Sequence, residues 1–426
     1  MSIFAVIALL FLLILLRVPV VFAILIPSVL YVALDPSLTF SIVLQQMAGT
    51  LNSFTLLAVP LFIMVGYIAN ESGMATRLLD AVSAVIGRVR NSLAYVNASS
   101  SMAFSTMSGT ATADAAAMGS IMIPQMKRRG YSPGYASGLT AASSLIGPIM
   151  PPSVVAILYA VLSGSSVASM FLAGVIPALI LFLALCIYIF IHSLKNREEE
   201  QPRMPGKERV MAIVKAIPIM MTPVIIFVGI LGGIFTITES AAIAVFYFVC
   251  LGLGTRWMSF KQLGSALTKS VATAGRIMII ATAGGLLAYV MAREGVSNSI
   301  AELLGTISDN PVLVLLLINV FLLLVGTVLE PVSALLIVVP TLAPVVAQFG
   351  IDPLHFGVIV ILNLSIGLLT PPVGIVLFVL SEVGHTSLGE IFKGIVPFLA
   401  MLIAVLLLFT FVPQLVMFLP NLIGVG

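Results

Sequence analysis

The chain of 426 residues is 60% hydrophobic and only 8% charged, with 19 Lys+Arg against 16 Asp+Glu for a formal net charge of +3. Soluble proteins average about 25% charged residues, so a globule of this size could not cover its own surface. Together with a mean hydropathy of +1.22, that excludes a soluble enzyme, a nucleic-acid binder and a disordered linker protein, and leaves a multi-spanning membrane protein.

A helix crossing the hydrocarbon core needs about 20 apolar residues, so this length allows roughly ten to twelve crossings and no soluble domain. In chain order the hydrophobic runs lie at 3–16, 19–34, 54–70, 92–126, 135–162, 167–193, 216–235, 237–254, 272–292, 311–346, 354–380 and 395–419. Nothing basic precedes the first run, so a retained span is expected there rather than a cleaved signal peptide. Cys186 and Cys250 fall inside apolar runs and read as packing residues rather than a disulfide framework. The one strongly polar stretch, His192–Lys215, carries Lys195, Arg197, Arg203, Lys207, Arg209 and Lys215. Basic short loops stay cytoplasmic, and Glu198–Glu200 do not weaken that assignment because acidic residues contribute little to it. The loop divides the chain into 1–194, a cytoplasmic linker 195–215, and 216–426.

The two parts echo each other. Pro124, Gly130, Pro133, Ile146, Gly147, Pro151 and Pro152 recur as Pro344, Gly350, Pro353, Ile366, Gly367, Pro371 and Pro372, every pair 220 positions apart. Asn70-Glu71-Ser72-Gly73 is echoed more loosely by Arg293-Glu294-Gly295. The charges around the copies differ, however. The run 92–126 has Arg88 and Arg90 before it and Lys127-Arg128-Arg129 after it, whereas 311–346 has Asp309 and Asp352 and no nearby Lys or Arg. Duplicated halves with opposite loop charge are what an inverted-topology repeat predicts; parallel halves would carry basic brackets on both copies. Each of these runs enters and leaves on one side, as two full spans or as a re-entrant hairpin. Their centres, Ser105-Thr106-Met107-Ser108-Gly109-Thr110-Ala111-Thr112 and Gly326-Thr327-Val328-Leu329-Glu330-Pro331-Val332-Ser333, are small and polar. Non-helical backbone at membrane depth is tolerated only in protein or beside a wet cavity, which favours hairpins.

The strongest chemical signals are Ser143-Ser144-Leu145-Ile146-Gly147-Pro148-Ile149-Met150-Pro151-Pro152-Ser153 and Asn363-Leu364-Ser365-Ile366-Gly367-Leu368-Leu369-Thr370-Pro371-Pro372-Val373-Gly374. Paired prolines within an apolar run remove amide donors and break the helical ladder. The carbonyls freed at 147–150 and 367–370 need partners, and a desolvated sodium ion wants several such oxygens. A proline kink satisfied by water or a neighbouring hydroxyl is the plainer alternative. Half-helix N-termini in the hairpins and after the prolines carry positive dipole ends that would suit a carboxylate, wherever they point.

Ionisable groups inside spans cost about 2.5–3.5 kcal/mol or more at the membrane centre and are therefore candidates for function. Glu330, in the second hairpin centre, could help bind a cation or partner a buried Arg. Arg293 could meet an anionic substrate or pair with Glu294. Asp114 suits a half-helix cap, Arg276 can snorkel to the cytoplasmic side, and Glu239 in Phe235-Thr236-Ile237-Thr238-Glu239 reads as a capped helix start in a scaffold. Glu382 completes the set. His192, His355 and His385 are widely spaced and form no H-E-x-x-H pattern. There is no Walker A lysine, and Asp114 has no evident partner for intramembrane proteolysis, so no enzyme is expected.

These residues resemble the large membrane subunit of tripartite ATP-independent periplasmic (TRAP) transporters, the DctM-like family, over essentially the whole chain. The most specific pieces are Ser108-Gly109-Thr110-Ala111, Gly147–Ser153, Gly233–Glu239 and Gly367–Gly374; one departure is Ile237, where the family usually has Pro. The resemblance implies an all-α integral membrane protein of the bacterial inner membrane, with inverted-topology repeats, two re-entrant hairpins and two broken helices working as an elevator. It implies sodium as coupling ion, with no other cofactor, between each hairpin tip and its broken helix. The first site would involve Ser108, Gly109, Gly147 and Ser153, and the second Gly326, Glu330, Gly367 and Thr370. Candidate substrate contacts are Arg293, Ser105, Thr110, Pro151 and Pro371. Implied partners are a small four-helix membrane subunit, not fused to this chain, a soluble periplasmic binding protein, and membrane lipid. The substrate would be a small carboxylate such as a sialic acid, a C4-dicarboxylate or a 2-oxo acid. A stand-alone sodium/dicarboxylate carrier and a membrane-embedded enzyme are the rival readings.

Overall fold

The computed structural model describes residues 2–87, 89, 91–196 and 205–424, and they form twenty α-helices and one short 3₁₀ turn with no strand among the described residues. Arg88, Arg90, Arg197, Glu198–Glu200 and Arg203, used above to orient the chain, lie outside the described residues.

Two series of elements follow one another. The first comprises α1 (Ile3–Leu15), α2 (Val20–Leu34), α3 (Ser41–Leu51), α4 (Ala58–Glu71), α5 (Met74–Ile86), α6 (Ser92–Ser108), α7 (Ala111–Arg128), α8 (Pro133–Ser144), α9 (Val154–Ser163) and α10 (Val167–Lys195). The second comprises α11 (Gly206–Leu231), α12 (Ile237–Gly254), α13 (Phe260–Arg293), α14 (Val296–Ile307), α15 (Pro311–Gly326), α16 (Pro331–Gln348), α17 (Pro353–Gly367), α18 (Ile375–Gly384) and α19 (Leu388–Phe411), followed by α20 (Pro413–Ile423). The bent pair α3–α4 in the first series takes the place of the single long α13 in the second. Helices α7 and α16 begin and end at positions 220 apart, and each has a proline at the same internal place, Pro124 and Pro344. The duplication read from the proline pairs thus extends through whole elements.

Among the described residues six helices are individually long and apolar enough to cross a membrane, and up to eight spans result if each bent pair counts as one. The other apolar helices are only 10–17 residues long; α9, α17 and α18 are among them because the breaks at the Pro pairs cut two long hydrophobic runs into halves. The outer faces of α10, α11 and α12 expose Leu183, Ile187, Phe190, Ile217, Val224 and Phe246. Such a surface is stable against acyl chains and not against water.

Local sequence sets several boundaries. Thr236 and Glu239 form a reciprocal capping box at the start of α12, so Ile237 serves as the first helical residue without the proline that the resemblance leads one to expect there. Ser259 and Gln262 do the same for α13, which starts twelve residues before the hydrophobic run at 272. That first part is amphipathic and carries Lys261, Gln262 and Lys269. The same reason hides α5 and α14, which alternate apolar and polar faces and never form an apolar run. Both start at a left-handed glycine, Gly73 with φ 68° and Gly295 with φ 63°.

The series interlock. Helices α6 and α7 fold back on each other and pack on α8, while α15 and α16 do so against α17. Each outer hairpin helix then crosses to the other series: α7 lies along α18, and α16 along α9. Two polar pins add to this interlock, one at the α7–α18 crossing and one between α9 and α17. Lys127 Nζ donates to the carbonyls of Gly384 at 3.3 Å and His385 at 3.2 Å, at the end of α18. Tyr159, midway along α9, donates to the carbonyl of Pro353 at the start of α17 at 2.5 Å.

Candidate functional site

In the first unit, α6 stops at Ser108 because Gly109 takes a left-handed conformation, φ 61°, that its neighbours with Cβ atoms would resist. Thr110 is extended and α7 begins after it. This tip rests on the break between α8 and α9. A Cβ placed on Gly109 would lie 3.1 Å from the carbonyl oxygen of Pro152 and 3.2 Å from the amide of Val154. One placed on Gly147 would lie 3.2 Å from the carbonyl oxygen of Thr110. Ser108, Gly109, Gly147 and Ser153, expected to form one cluster, are therefore together, with Thr110 and Pro151 beside them.

In the second unit, Gly326 ends α15 and meets Gly367 backbone to backbone. A Cβ on Gly367 would strike the Cα, carbonyl carbon and oxygen of Gly326, and one on Gly326 would sit 3.2 Å from the Cα atoms of Gly367 and Leu364. Glu330 holds the position before α16 without its side chain capping the helix. Thr370 lies three residues past Gly367, on the stretch that leads to Pro371 and Pro372.

Both breaks unwind through tightened turns before the proline pairs. Leu145, Ile146 and Gly147 donate to the carbonyls three residues back, as do Leu368, Leu369 and Thr370. By the 220-residue offset, α17 continues three residues further than α8 before giving way. The Pro151–Pro152 and Pro371–Pro372 bonds are both cis. Serine and threonine hydroxyls line each break. Ser153 Oγ donates to Pro148 O at 2.6 Å and accepts from the amide of Ala156 at 3.2 Å, capping α9. Thr370 Oγ1 donates to Ile366 O at 2.9 Å. A hydroxyl whose proton is committed in this way still offers lone pairs, so each break combines carbonyl and hydroxyl oxygens without a basic group. Hard monovalent cations take such donor sets; among the described residues no cluster of three His, Cys, Asp or Glu exists that could hold a transition metal.

The remaining sequence candidates fall in different places. Ser105 lies one turn before the first tip and donates to Met102 O at 2.7 Å. Asp114 does not cap its helix. It stands too far along the first turn of α7 to reach the free amides, and is fully buried beside Ser101 with neither carboxylate oxygen in hydrogen-bond geometry. Glu330 is exposed and has no salt-bridge partner among the described residues, so no buried Arg accounts for it. Arg293 is held at the end of α13, its guanidinium 3.2 Å from Asp35 Oδ2 and 2.6 Å from Ser37 Oγ, while the neighbouring Glu294 accepts from the Tyr31 hydroxyl. Hydrogen bonds from the Ser37 side chain and backbone, with Arg293 alongside, hold Asp35 below the usual carboxylate range. Arg276 and Glu382 are exposed.

Sequence reasoning missed the polar anchors behind the tips. In the first unit Asn97 Nδ2 donates to Thr140 Oγ1 at 2.7 Å and Ser143 donates to Ser101 at 3.1 Å, tying α6 to α8. In the second, Asn363 Nδ2 donates to Asn319 Oδ1 at 2.8 Å, tying α17 to α15. A lone Asn inside the apolar run Leu317-Ile318-Asn319-Val320-Phe321 was the available signal.

Comparison with known proteins places the chain in a family. Residues 7–415 match the model of the DctM component of tripartite ATP-independent periplasmic transporters. The chain is 38% identical over 410 residues to the sialic acid TRAP transporter large permease protein SiaM of Vibrio cholerae, covering 96% of each. It is 35% identical over 378 residues to the C4-dicarboxylate TRAP transporter large permease protein DctM of Pseudomonas aeruginosa, covering 88% of each. Its fold is similar to that of the Alcanivorax borkumensis YdaH transporter, with a TM-score of 0.64 at 14% identity over 89% of this chain and 90% of that one. The relatives are transport permeases and not enzymes, and the chain, a multi-pass protein of the bacterial inner membrane, belongs to the DctM family of TRAP transporter large permeases.

Proposed function

We propose that this chain carries out sodium-coupled uptake of a small organic carboxylate, of the sialic acid or C4-dicarboxylate kind, across the inner membrane. One observation carries the reading: twice in the chain a hairpin tip built on glycine lies against the break of a proline-interrupted helix, surrounded by backbone carbonyls and hydroxyls. Sodium ions bind at Ser108, Gly109, Gly147 and Ser153, and at Gly326, Glu330, Gly367 and Thr370. Bound cations draw each tip onto its break and attract a carboxylate between the two units, where the N-terminal ends of α7, α9, α16 and α18 add positive dipole. Ser105, Thr110, Pro151 and Pro371 are placed to shape that space, whereas Arg293, engaged with Asp35, belongs to the scaffold end.

The two units interlock through α7 with α18 and α16 with α9, and α10 and α19 pack around them. These elements move together as an elevator past a scaffold of α1–α4 and α11–α13, with the amphipathic α5 and α14 as the connecting arms. A small four-helix membrane subunit completes the scaffold, and a soluble periplasmic protein delivers the substrate.

Reconstitution of the chain with its membrane and periplasmic partners into liposomes tests this. An inward sodium gradient drives accumulation of labelled substrate only when the binding protein is present. Accumulation with potassium in place of sodium would overturn the coupling. Accumulation without the binding protein would favour the stand-alone carrier, and chemical conversion of the substrate would favour an enzyme.

A further inference from the structure

A chain of buried amides and a hydroxyl stands directly behind the second hairpin tip. Asn363, on α17, lies one helical turn before Gly367; Asn319, on α15, lies two turns before Gly326. Asn363 Nδ2 donates both to Asn319 Oδ1, at 2.8 Å, and to the Asn319 carbonyl, at 3.1 Å. Asn319 Nδ2 in turn donates to Thr410 Oγ1 of α19 at 2.9 Å, and that hydroxyl donates to Leu406 O at 2.8 Å. All three side chains are buried, Asn363 and Thr410 almost completely. A second bond, between His355 Nε2 and Phe409 O at 2.8 Å, joins α17 to α19 about two turns further back along α17.

Apolar packing alone leaves the sliding of one helix on another weakly determined, because leucine surfaces tolerate small shifts. Buried amides do not: a slip would leave donors and acceptors unpaired where no water can replace them, so such groups set register. The tip it would control has no slack, since Gly326 and Gly367 already touch through their backbones. We propose that Asn319, Asn363 and Thr410 are positioning residues that fix the depth and register of the second hairpin, α15–α16, on its broken helix, and thereby set the spacing of the carbonyl oxygens that take the cation at Gly326–Thr370. The inference rests on the sodium-coupled reading for its functional consequence, though not for the structural one.

The experiment uses the complete reconstituted transporter with Asn363→Leu, Asn319→Leu, the double variant, Thr410→Val and Thr410→Ser. Loss of an outer partner to a metal ligand typically costs 10–100-fold in affinity, so the sodium concentration for half-maximal uptake rises about tenfold in Asn363→Leu while maximal uptake changes much less. The double variant is no worse than the worse single one, because the two amides act as one unit. Thr410→Val shows a smaller shift and Thr410→Ser, which keeps the hydroxyl, restores the wild-type value. A maximal rate that falls with half-saturation unchanged would mark these residues as general packing and overturn the proposal. Hydrogen exchange of the purified complex without sodium provides a readout independent of coupling: amides of 323–330 exchange faster in Asn363→Leu than in wild type. Unchanged exchange there would also overturn it. Wild-type uptake indifferent to sodium, with exchange altered as stated, would retain the clamp and remove the coupled-transport reading instead.

Discussion

The two hairpin units share one plan and differ in how far they are closed. Around the first tip most positions are buried, Ser105, Ser108, Gly109, Gly147, Pro151, Pro152 and Ser153 among them, while Thr110, Thr112 and Met150 are partly open and Ala113 is exposed. Around the second, Glu330, Pro371 and Pro372 are exposed and Thr370 is partly so. The anchors differ as well. The first unit is tied by a run of serines with Asn97 and Thr140, and includes the buried Asp114, where the second has Ala334. The second unit is tied by two asparagines. Repetition therefore supplies two tip-on-break contacts of similar construction, while divergence makes one more deeply buried and leaves the other with an accessible acid.

The largest effect should come from closing the tightest contact. Gly367→Ala drives a methyl group into the Gly326 backbone, and a displacement of even about 1 Å at a preorganised site can cost about 100-fold; uptake in proteoliposomes should fall by about that factor. In the first unit Gly109→Ala, at the tip rather than at the break, adds backbone strain of about 1–3 kcal/mol at a left-handed position as well as a close approach to Pro152. Because that tip is buried, its loss should appear in thermal unfolding of the purified protein as well as in transport. A stable Gly109→Ala protein with normal uptake would contradict the closeness assigned to the first tip.

Asp114→Ala, which makes the first unit like the second at this position, breaks the comparison in the opposite sense. A buried carboxylate without a hydrogen bond costs stability, so removing it should leave the melting temperature unchanged or raise it. A fall of several degrees would show a partner that the geometry does not contain. Glu330→Gln is the smallest of these changes structurally. The side chain is exposed and unpaired, so stability should move by no more than about 0.5 kcal/mol, while the sodium requirement for uptake increases. Equal sodium dependence in wild type and Glu330→Gln would remove Glu330 from the second site.

Much of this fold is legible in sequence, for reasons that are physical. Proline pairs inside apolar runs break helices wherever they stand, so 151–152 and 371–372 located both broken helices, and their common offset disclosed the duplication. Small polar residues at 105–112 and 326–333 located both tips. What stayed hidden was of two kinds. Amphipathic elements such as α5, α14 and the start of α13 lack an apolar run, and hydropathy passes over them. Contacts between segments far apart in the chain leave no local trace: Lys127 reads as a topology signal until its ammonium is found on the end of α18, and Asn319 reads as an isolated polar residue until Asn363 is found against it. Arg293 shows the converse. As an ionisable residue inside a predicted span it reads as a substrate contact or a partner of Glu294, and the structure sets Asp35 and Ser37, more than 250 positions earlier, against it.

The central claim is that each tip-on-break contact holds a sodium ion. Equilibrium binding of radioactive sodium to the purified transporter, wild type and Gly367→Ala in parallel, tests it most directly. The account predicts at least two sodium ions per wild-type chain and one fewer in Gly367→Ala, with the first site retained. No saturable sodium binding by the wild type, or the same stoichiometry and affinity in both proteins, would contradict it.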